Sequence, residues 1–221
     1  MTDLSCVGAC HTMAEIEEMA RLAAAWQVKA VYAMPSFTKQ LVSLMQGTGV
    51  TVGGLVGFPS GADTAAIKLM TAEELLMSDC RELDMVINQG YLKSGMDAEI
   101  SREIRNIVAI ADKVPVKVIL EVNNLTGAEI VRGAMLAAEA GCAHVKTGTG
   151  WHHLPTTVDH VRLIHEAVGN AAGIKAAGGI RTLETAYEMY LAGCRRFGIG
   201  TASFRKMICN GGHPEEEYHG M

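Results

Sequence analysis

The chain has few aromatic residues: they make up 5% of its 221 positions, with only two tryptophans. Its core must therefore be built from aliphatic side chains, which a hydrophobic fraction of 49% and 13 methionines supply. Long apolar runs are also missing. No stretch approaches the ~20 residues that a membrane span needs, so no membrane partner is expected. Positive charge is not in excess either: the net charge is −5 and no basic stripe is visible, which argues against nucleic acid as the main partner. The six cysteines (Cys6, Cys10, Cys80, Cys142, Cys194 and Cys209) include no CxxC pair and no His/Cys grouping with zinc spacing. They read as reduced thiols. The N-terminus lacks the basic and apolar blocks of a signal peptide, so the expected location is cytoplasmic.

What the chain does have is alternation. Short β-branched or apolar runs lie at 28–34, 50–57, 83–88, 116–122, 143–147, 173–177 and 196–200. Helical stretches at 12–26, 62–77, 98–111, 127–140, 157–168 and 182–191 separate most of them. Such alternation implies parallel strands with right-handed crossovers, and runs apolar on both faces suit buried strands. Thr12-Met13-Ala14-Glu15 and Thr71-Ala72-Glu73-Glu74 have the capping-box pattern, the second either inside a longer helix or at a break. Ala140-Gly141-Cys142 and Ala192-Gly193-Cys194 each fit a helix ending at a glycine before the next strand. With residues 2–5 as an eighth strand, the expected fold is a single-domain α/β protein, a (β/α)8 TIM barrel over residues 1–207. Seven strands would leave a doubly wound open sheet. Residues 208–221 are expected to form a flexible acidic C-terminal tail.

In a parallel barrel, function gathers at the carboxyl ends of the strands. Alternation puts Asp84, Val86 and Asn88 on one face of the fourth strand, Lys117, Ile119 and Glu121 on one face of the fifth, and His144 with Lys146 on the sixth. Lys175 lies on the seventh strand and Asp3 on the first. A charge inside an apolar strand costs several kcal/mol unless partnered. Asp84, Lys117, Glu121, Lys146 and Lys175 therefore point to an internal polar network, or else to an exposed edge or a register in which each faces water.

Lys146 and Lys175 form the sharpest pair, since each ends a strand and opens onto a Gly-rich loop. At ~5 Å and an effective dielectric of about 20, two ammonium groups repel by roughly 3 kcal/mol, enough to bring one lysine from ~10.4 toward ~8. The product is an amine neutral near pH 7, as a Schiff-base nucleophile must be. Two charged anchors for a phosphate or carboxylate fit the same residues. Gly178-Gly179-Ile180-Arg181 and Gly198-Ile199-Gly200-Thr201-Ala202-Ser203, after strands seven and eight, match the usual barrel phosphate site. Arg181 either adds charge there or opens a helix in solvent. His11, His152, His153 and His160 form no metal pattern with the carboxylates, and Trp151-His152-His153 reads as a pocket mouth or a surface loop.

A series of motifs in order extends these single residues: Gly57-Phe58-Pro59-Ser60-Gly61, Glu82-Leu83-Asp84-Met85-Val86-Ile87-Asn88, Leu92-Lys93-Ser94-Gly95, Val116-Lys117-Val118-Ile119-Leu120-Glu121, Val145-Lys146-Thr147-Gly148-Thr149-Gly150 and Ile174-Lys175-Ala176-Ala177-Gly178-Gly179-Ile180-Arg181-Thr182. Over almost its full length the chain resembles the deoxyribose-phosphate aldolase family. The resemblance implies a TIM-barrel class I aldolase, a lyase that needs no metal and no other cofactor. It also implies a small-molecule sugar phosphate as ligand, a homodimer, and a role in deoxyribonucleotide catabolism and carbohydrate degradation. The implied reaction is reversible cleavage of 2-deoxy-D-ribose 5-phosphate to D-glyceraldehyde 3-phosphate and acetaldehyde.

Residue by residue, Lys146 matches the Schiff-base lysine and Lys175 the lysine that depresses its pKa. Asp84 matches the acid/base aspartate acting through water, and Asp3 the N-terminal aspartate of the proton relay. Thr147 and Gly150 fall in the substrate-binding stretch, while Gly178, Gly179, Gly200 and Ser203 correspond to the phosphate cradle. Lys117 and Glu121 would support the network. The departures are in the lining: the family usually has Ser where Gly148 and Ala202 stand, commonly Cys at Tyr32, Thr-Gly at Val122-Asn123, and an aromatic or apolar residue at His144. A same-mechanism aldolase acting on another phosphorylated sugar or a ketone donor is the alternative, and a non-catalytic phosphosugar-binding barrel the more distant one.

Overall fold

The computed structural model describes residues 1–210. Eight strands, β1 (Thr2–Cys6), β2 (Ala30–Ala33), β3 (Thr51–Val56), β4 (Glu82–Val86), β5 (Val116–Ile119), β6 (His144–Lys146), β7 (Gly173–Ala177) and β8 (Arg196–Gly200), pair in sequence order as a closed parallel barrel. The short first segment decides between the two expected folds. β1 pairs with β2 on one side and β8 on the other, which closes the ring and excludes an open sheet.

Nine helices surround the strands among the described residues: α1 (Met13–Ala25), α2 (Thr38–Met45), α3 (Ala65–Met77), α4 (Gln89–Lys93), α5 (Asp97–Ala111), α6 (Gly127–Glu139), α7 (Val158–Val168), α8 (Leu183–Leu191) and α9 (Thr201–Asn210). None is long and apolar enough to cross a membrane. Because α9 runs to Asn210, the expected barrel boundary at 207 falls inside a helix, and the expected tail from 211 onward lies outside the described residues.

Local signals explain several boundaries. The Thr12 amide donates to Glu15 Oε2 at 2.7 Å at the start of α1. The Thr71 pattern sits inside α3, because that helix already starts at its cap Thr64, and the Thr71 hydroxyl donates back to the Ile67 carbonyl at 2.9 Å. Gly141 (φ +92°) and Gly193 (φ +111°) supply the left-handed step that turns α6 and α8 toward their next strands.

The two faces of each strand divide the interior. Outward-facing Leu4, Val31, Leu83, Val118, Val145 and Ile174 are buried against the helices in one continuous apolar cluster. Inside a barrel of this type, branched aliphatic side chains usually dominate. Here the inner apolar cluster is reduced to Ala30, Tyr32 and Leu55, with Val7, Met34 and Phe58 packed on it. Val86, Ile119 and Ala177 are buried on the same inward faces, and between these apolar residues the interior is charged.

Candidate active site

Inward alternation places charged side chains on six of the eight strands, two of them on β4, and all are buried: Asp3, Glu82, Asp84, Lys117, Lys146, Lys175 and Arg196. Asp84 stands at the centre. Its Oδ1 accepts from Lys117 at 3.2 Å, and its Oδ2 accepts from both Lys146 (2.8 Å) and Lys175 (2.7 Å). Lys175 also pairs with Asp3 Oδ2 at 2.8 Å, while Asp3 Oδ1 accepts from Arg196 at 2.6 Å. Glu82 closes the network from below by accepting from Lys117 at 2.6 Å and from Arg196 at 2.7 and 2.9 Å. Register makes this possible: Asp84 is opposite Lys117, Lys146 opposite Lys175, and Lys175 opposite Arg196.

Three carboxylates (Asp3, Glu82, Asp84) thus face four cations (Lys117, Lys146, Lys175, Arg196), all of them buried. Neutralising one cation balances the interior at three against three, and an uncompensated buried charge is costly. Burial opposes charge on Lys175, but Asp3 and Asp84 outweigh it and its pKa is raised. Burial leads at Lys146 too; Asp84 opposes it, Lys175 and Lys117 add to it, and the pKa is pushed down to about 8. The sequence reading put like-charge repulsion first, whereas desolvation ranks above it here. Burial also opposes the charge on Asp84, yet the three lysines hold its carboxyl well below the usual carboxylate range.

These groups open onto a cavity of about 590 Å³ whose lining includes Lys146, Lys175, Asp3 and Tyr32. Lys146 retains 6% exposure against 0% for Asp84 and Lys117 and 1% for Lys175, so it is the amine that meets the cavity most openly. Gly150, Gly178, Gly179, Gly200, Ser203 and Arg181 contribute to the same lining, which brings the two glycine loops into the pocket of the lysines. Gly178 and Gly179 have φ of +98° and +76°, and a side chain at Gly179 would lie 2.6 Å from Pro155. Trp151 lines the cavity, donates its indole N–H to the Val7 carbonyl at 3.0 Å and meets the Phe58 ring edge-on at 6.0 Å. His152 and His153 stack on each other outside the lining.

Two expected site residues stand elsewhere. Thr147 is fully buried, and its hydroxyl both donates to the Ala177 carbonyl (2.8 Å) and accepts from the Ala177 amide (2.9 Å), so it ties β6 to β7 rather than facing the cavity. Glu121 does not join the lysine network. It follows β5 at φ +57° and accepts from the Thr149 amide at 3.1 Å and from the Thr149 hydroxyl, bracing the loop after Lys146. Gly148 permits this, because a side chain there would come within 2.8 Å of Glu121 Oε1 and 3.2 Å of the Ala177 carbonyl. His144, at the start of β6, lies off the cavity lining. Burial, then Lys117 and Arg196, push its pKa down to about 4, so it is a neutral imidazole at pH 7.

Glu82, Arg196 and Tyr32 belong to the network although the sequence pattern does not single them out. The apolar run begins at Leu83, with Glu82 just outside it, yet stepping back two from Asp84 puts Glu82 on the inward face. The same step back from Gly198 finds Arg196. A buried pair outside the barrel is not singled out either: Lys68 Nζ donates to Glu103 Oε2 and to the Val86 carbonyl, both at 2.9 Å. Among the described residues, no group of three His, Cys, Asp or Glu side chains is placed to hold a metal ion.

The family model described as DeoC/LacD family aldolase matches residues 2–208. The chain is similar to the deoxyribose-phosphate aldolase of Sinorhizobium medicae, with 46% identity over 202 residues that cover 91% of this chain and 82% of that protein. It is also similar to that of Methanothermobacter thermautotrophicus, with 40% identity covering 91% of this chain and 90% of the other. Its structure resembles the tetrameric deoxyribose phosphate aldolase of Aeropyrum pernix, with a TM-score of 0.86 and 26% identity over 95% of this chain and 88% of that one. The chain belongs to the DeoC/LacD family of aldolases.

Proposed function

We propose that this aldolase reversibly cleaves 2-deoxy-D-ribose 5-phosphate to D-glyceraldehyde 3-phosphate and acetaldehyde through a Schiff base on Lys146. The observation that carries the reading is a lysine with its pKa lowered to about 8, lining a cavity and 2.8 Å from a carboxylate. The neutral Lys146 amine adds to the aldehyde carbonyl, and loss of water leaves an iminium that draws electrons from the bond between C2 and C3. That bond breaks as the C3 hydroxyl gives up its proton. The resulting enamine is protonated at C2 and hydrolysed to acetaldehyde, which restores Lys146. Asp84 does not line the cavity, so it exchanges protons with the reacting atoms through Lys175, its 2.7 Å neighbour that does, or through water. Asp3 holds Lys175 charged from its other side. The amides of Gly178, Gly179 and Gly200, the Ser203 hydroxyl and the Arg181 guanidinium supply the phosphate cradle.

The named activity of the two aligned relatives supports this substrate. The buried thiols of Cys6, Cys80, Cys142 and Cys194 fit a cytoplasmic setting. A homodimer completes the reading, supported by the exposed Leu183, Tyr187 and Leu191 on α8. Release of glyceraldehyde 3-phosphate from a panel of sugar phosphates tests the substrate. Fastest cleavage of 2-deoxyribose 5-phosphate supports it; faster cleavage of another sugar phosphate moves the assignment there.

A further inference from the structure

We infer that the ring of Tyr32 is a positioning residue for the lysines: it holds the proton on Lys175 and so leaves Lys146 as the amine that discharges. The inference rests on the Schiff-base reading of Lys146. Tyr32 is 2% exposed and lies across the middle of the barrel, in the space where aliphatic side chains would ordinarily meet. Two ammonium groups lie over its ring, Lys175 at 4.2 Å from the centroid and Lys146 at 5.9 Å, while Lys117, 5.5 Å from the centroid and 2.8 Å from the hydroxyl oxygen, sits at the hydroxyl edge.

Attraction between a cation and a ring face fades near ~6 Å and is strongest where water is excluded. Lys175 therefore receives most of it and Lys146 little, so the ring favours charge on the first lysine over the second. Other groups hold the ring in place. The Tyr32 hydroxyl donates to Glu82 Oε2 and accepts from Lys117, each at 2.8 Å, and Glu82 is fixed in turn by Arg196. Asp84 from β4 and Asp3 from β1 act on Tyr32 at longer range, and with burial they keep its phenol protonated. From β3 comes no charge: Gly53 faces the ring, and any side chain there would overlap it. At Gly53 alone β3 carries no inward side chain, which leaves the room that this ring occupies.

The ring and the hydroxyl make separable predictions. Tyr32→Phe keeps the π face and loses the two hydroxyl contacts. Tyr32→Leu loses the face, and Tyr32→trifluorophenylalanine keeps the shape while weakening the face. The measurement is the rate at which borohydride and acetaldehyde place an ethyl group on Lys146, followed from acid to alkaline pH. The midpoint is expected to stay near the wild-type value in Tyr32→Phe and to rise by about one pH unit in the other two, as Lys146 takes a larger share of the proton. Equal displacement in Tyr32→Phe and the trifluoro variant would assign the effect to the hydroxyl, and no displacement in any variant would make Tyr32 a space-filler; either overturns the inference. Should Tyr32→Leu fail to fold, the isosteric trifluoro variant carries the comparison. A wild-type protein that forms no adduct on Lys146 fails the aldolase reading itself and takes this inference with it, so the two failures are distinguishable.

Discussion

Lys146 and Lys175 are register partners on β6 and β7, and both ammonium groups close on one carboxylate oxygen, Asp84 Oδ2, at 2.8 and 2.7 Å. Two like charges on one acceptor cannot both be held cheaply in a buried site. The asymmetry lies beyond that oxygen. Lys175 has a second carboxylate, Asp3, at 2.8 Å, whereas among the described residues Lys146 pairs with Asp84 alone. The missing proton therefore falls on Lys146, the one that faces the cavity.

Activity should follow that proton. With a pKa of about 8, roughly one Lys146 in ten is neutral at pH 7, against about one in 2,500 for an ordinary lysine. The neutral form is the nucleophile, so kcat/KM is expected to rise about tenfold per pH unit below pH 8 and to level above it. A pH profile of retro-aldol cleavage checks this; a rate that is flat from pH 6 to 8 speaks against it.

Lys175→Met removes a repelling charge and leaves the Asp84 carboxylate to Lys146. The Lys146 pKa should then climb well above 8, and cleavage at pH 7 should fall by about 10- to 100-fold. Part of the loss should return at pH 9–10, which steady-state assays at both pH values would detect. A loss that no pH recovers would mean that Lys175 does more than set charge.

Gly148→Ser tests one of the pocket's departures from its family. The new side chain would meet Glu121 and the Ala177 carbonyl, displacing the carboxylate that braces Thr149. The expected cost is about 1–3 kcal/mol, visible as a melting temperature several degrees lower, with a raised KM because Thr149 and Gly150 line the cavity. An unchanged KM would show that the brace does not shape the site.

Lys68→Met should destabilise the fold by about 3–5 kcal/mol, because it strands the buried Glu103 carboxylate. Adding Glu103→Leu should recover most of that loss, as apolar replacements of a buried pair commonly do. Urea denaturation of the single and double variants gives the comparison. Similar losses in both would place the value of Lys68 in its bond to the Val86 carbonyl instead.

Much of this was legible in the sequence because barrel chemistry repeats a simple period. Alternating strands and helices gave the ring, and residues 2–5 proved to be the strand that closes it. Lys146, Lys175 and Asp84 were visible as charges in apolar runs. What escaped had a physical reason in each case. Glu82 and Arg196 sit at the first position of their strands, where a charge looks like an ordinary solvated strand end. Tyr32 lies in an apolar run, and nothing local says that its ring and hydroxyl will meet three buried lysines. Thr147 falls in the substrate-binding stretch that the resemblance implies, and the sequence does not reveal that Ala177 already satisfies its hydroxyl. Lys68 and Glu103 are ordinary helical polar residues until α3 and α5 bring them together.

The most direct test of the central claim is borohydride reduction in the presence of acetaldehyde, with the modified lysine located by peptide mass mapping. The expected result is one ethyl group on Lys146, absent in Lys146→Ala, forming faster as pH rises toward 8. An adduct on Lys175 or Lys117 instead, or none at any pH, would contradict it.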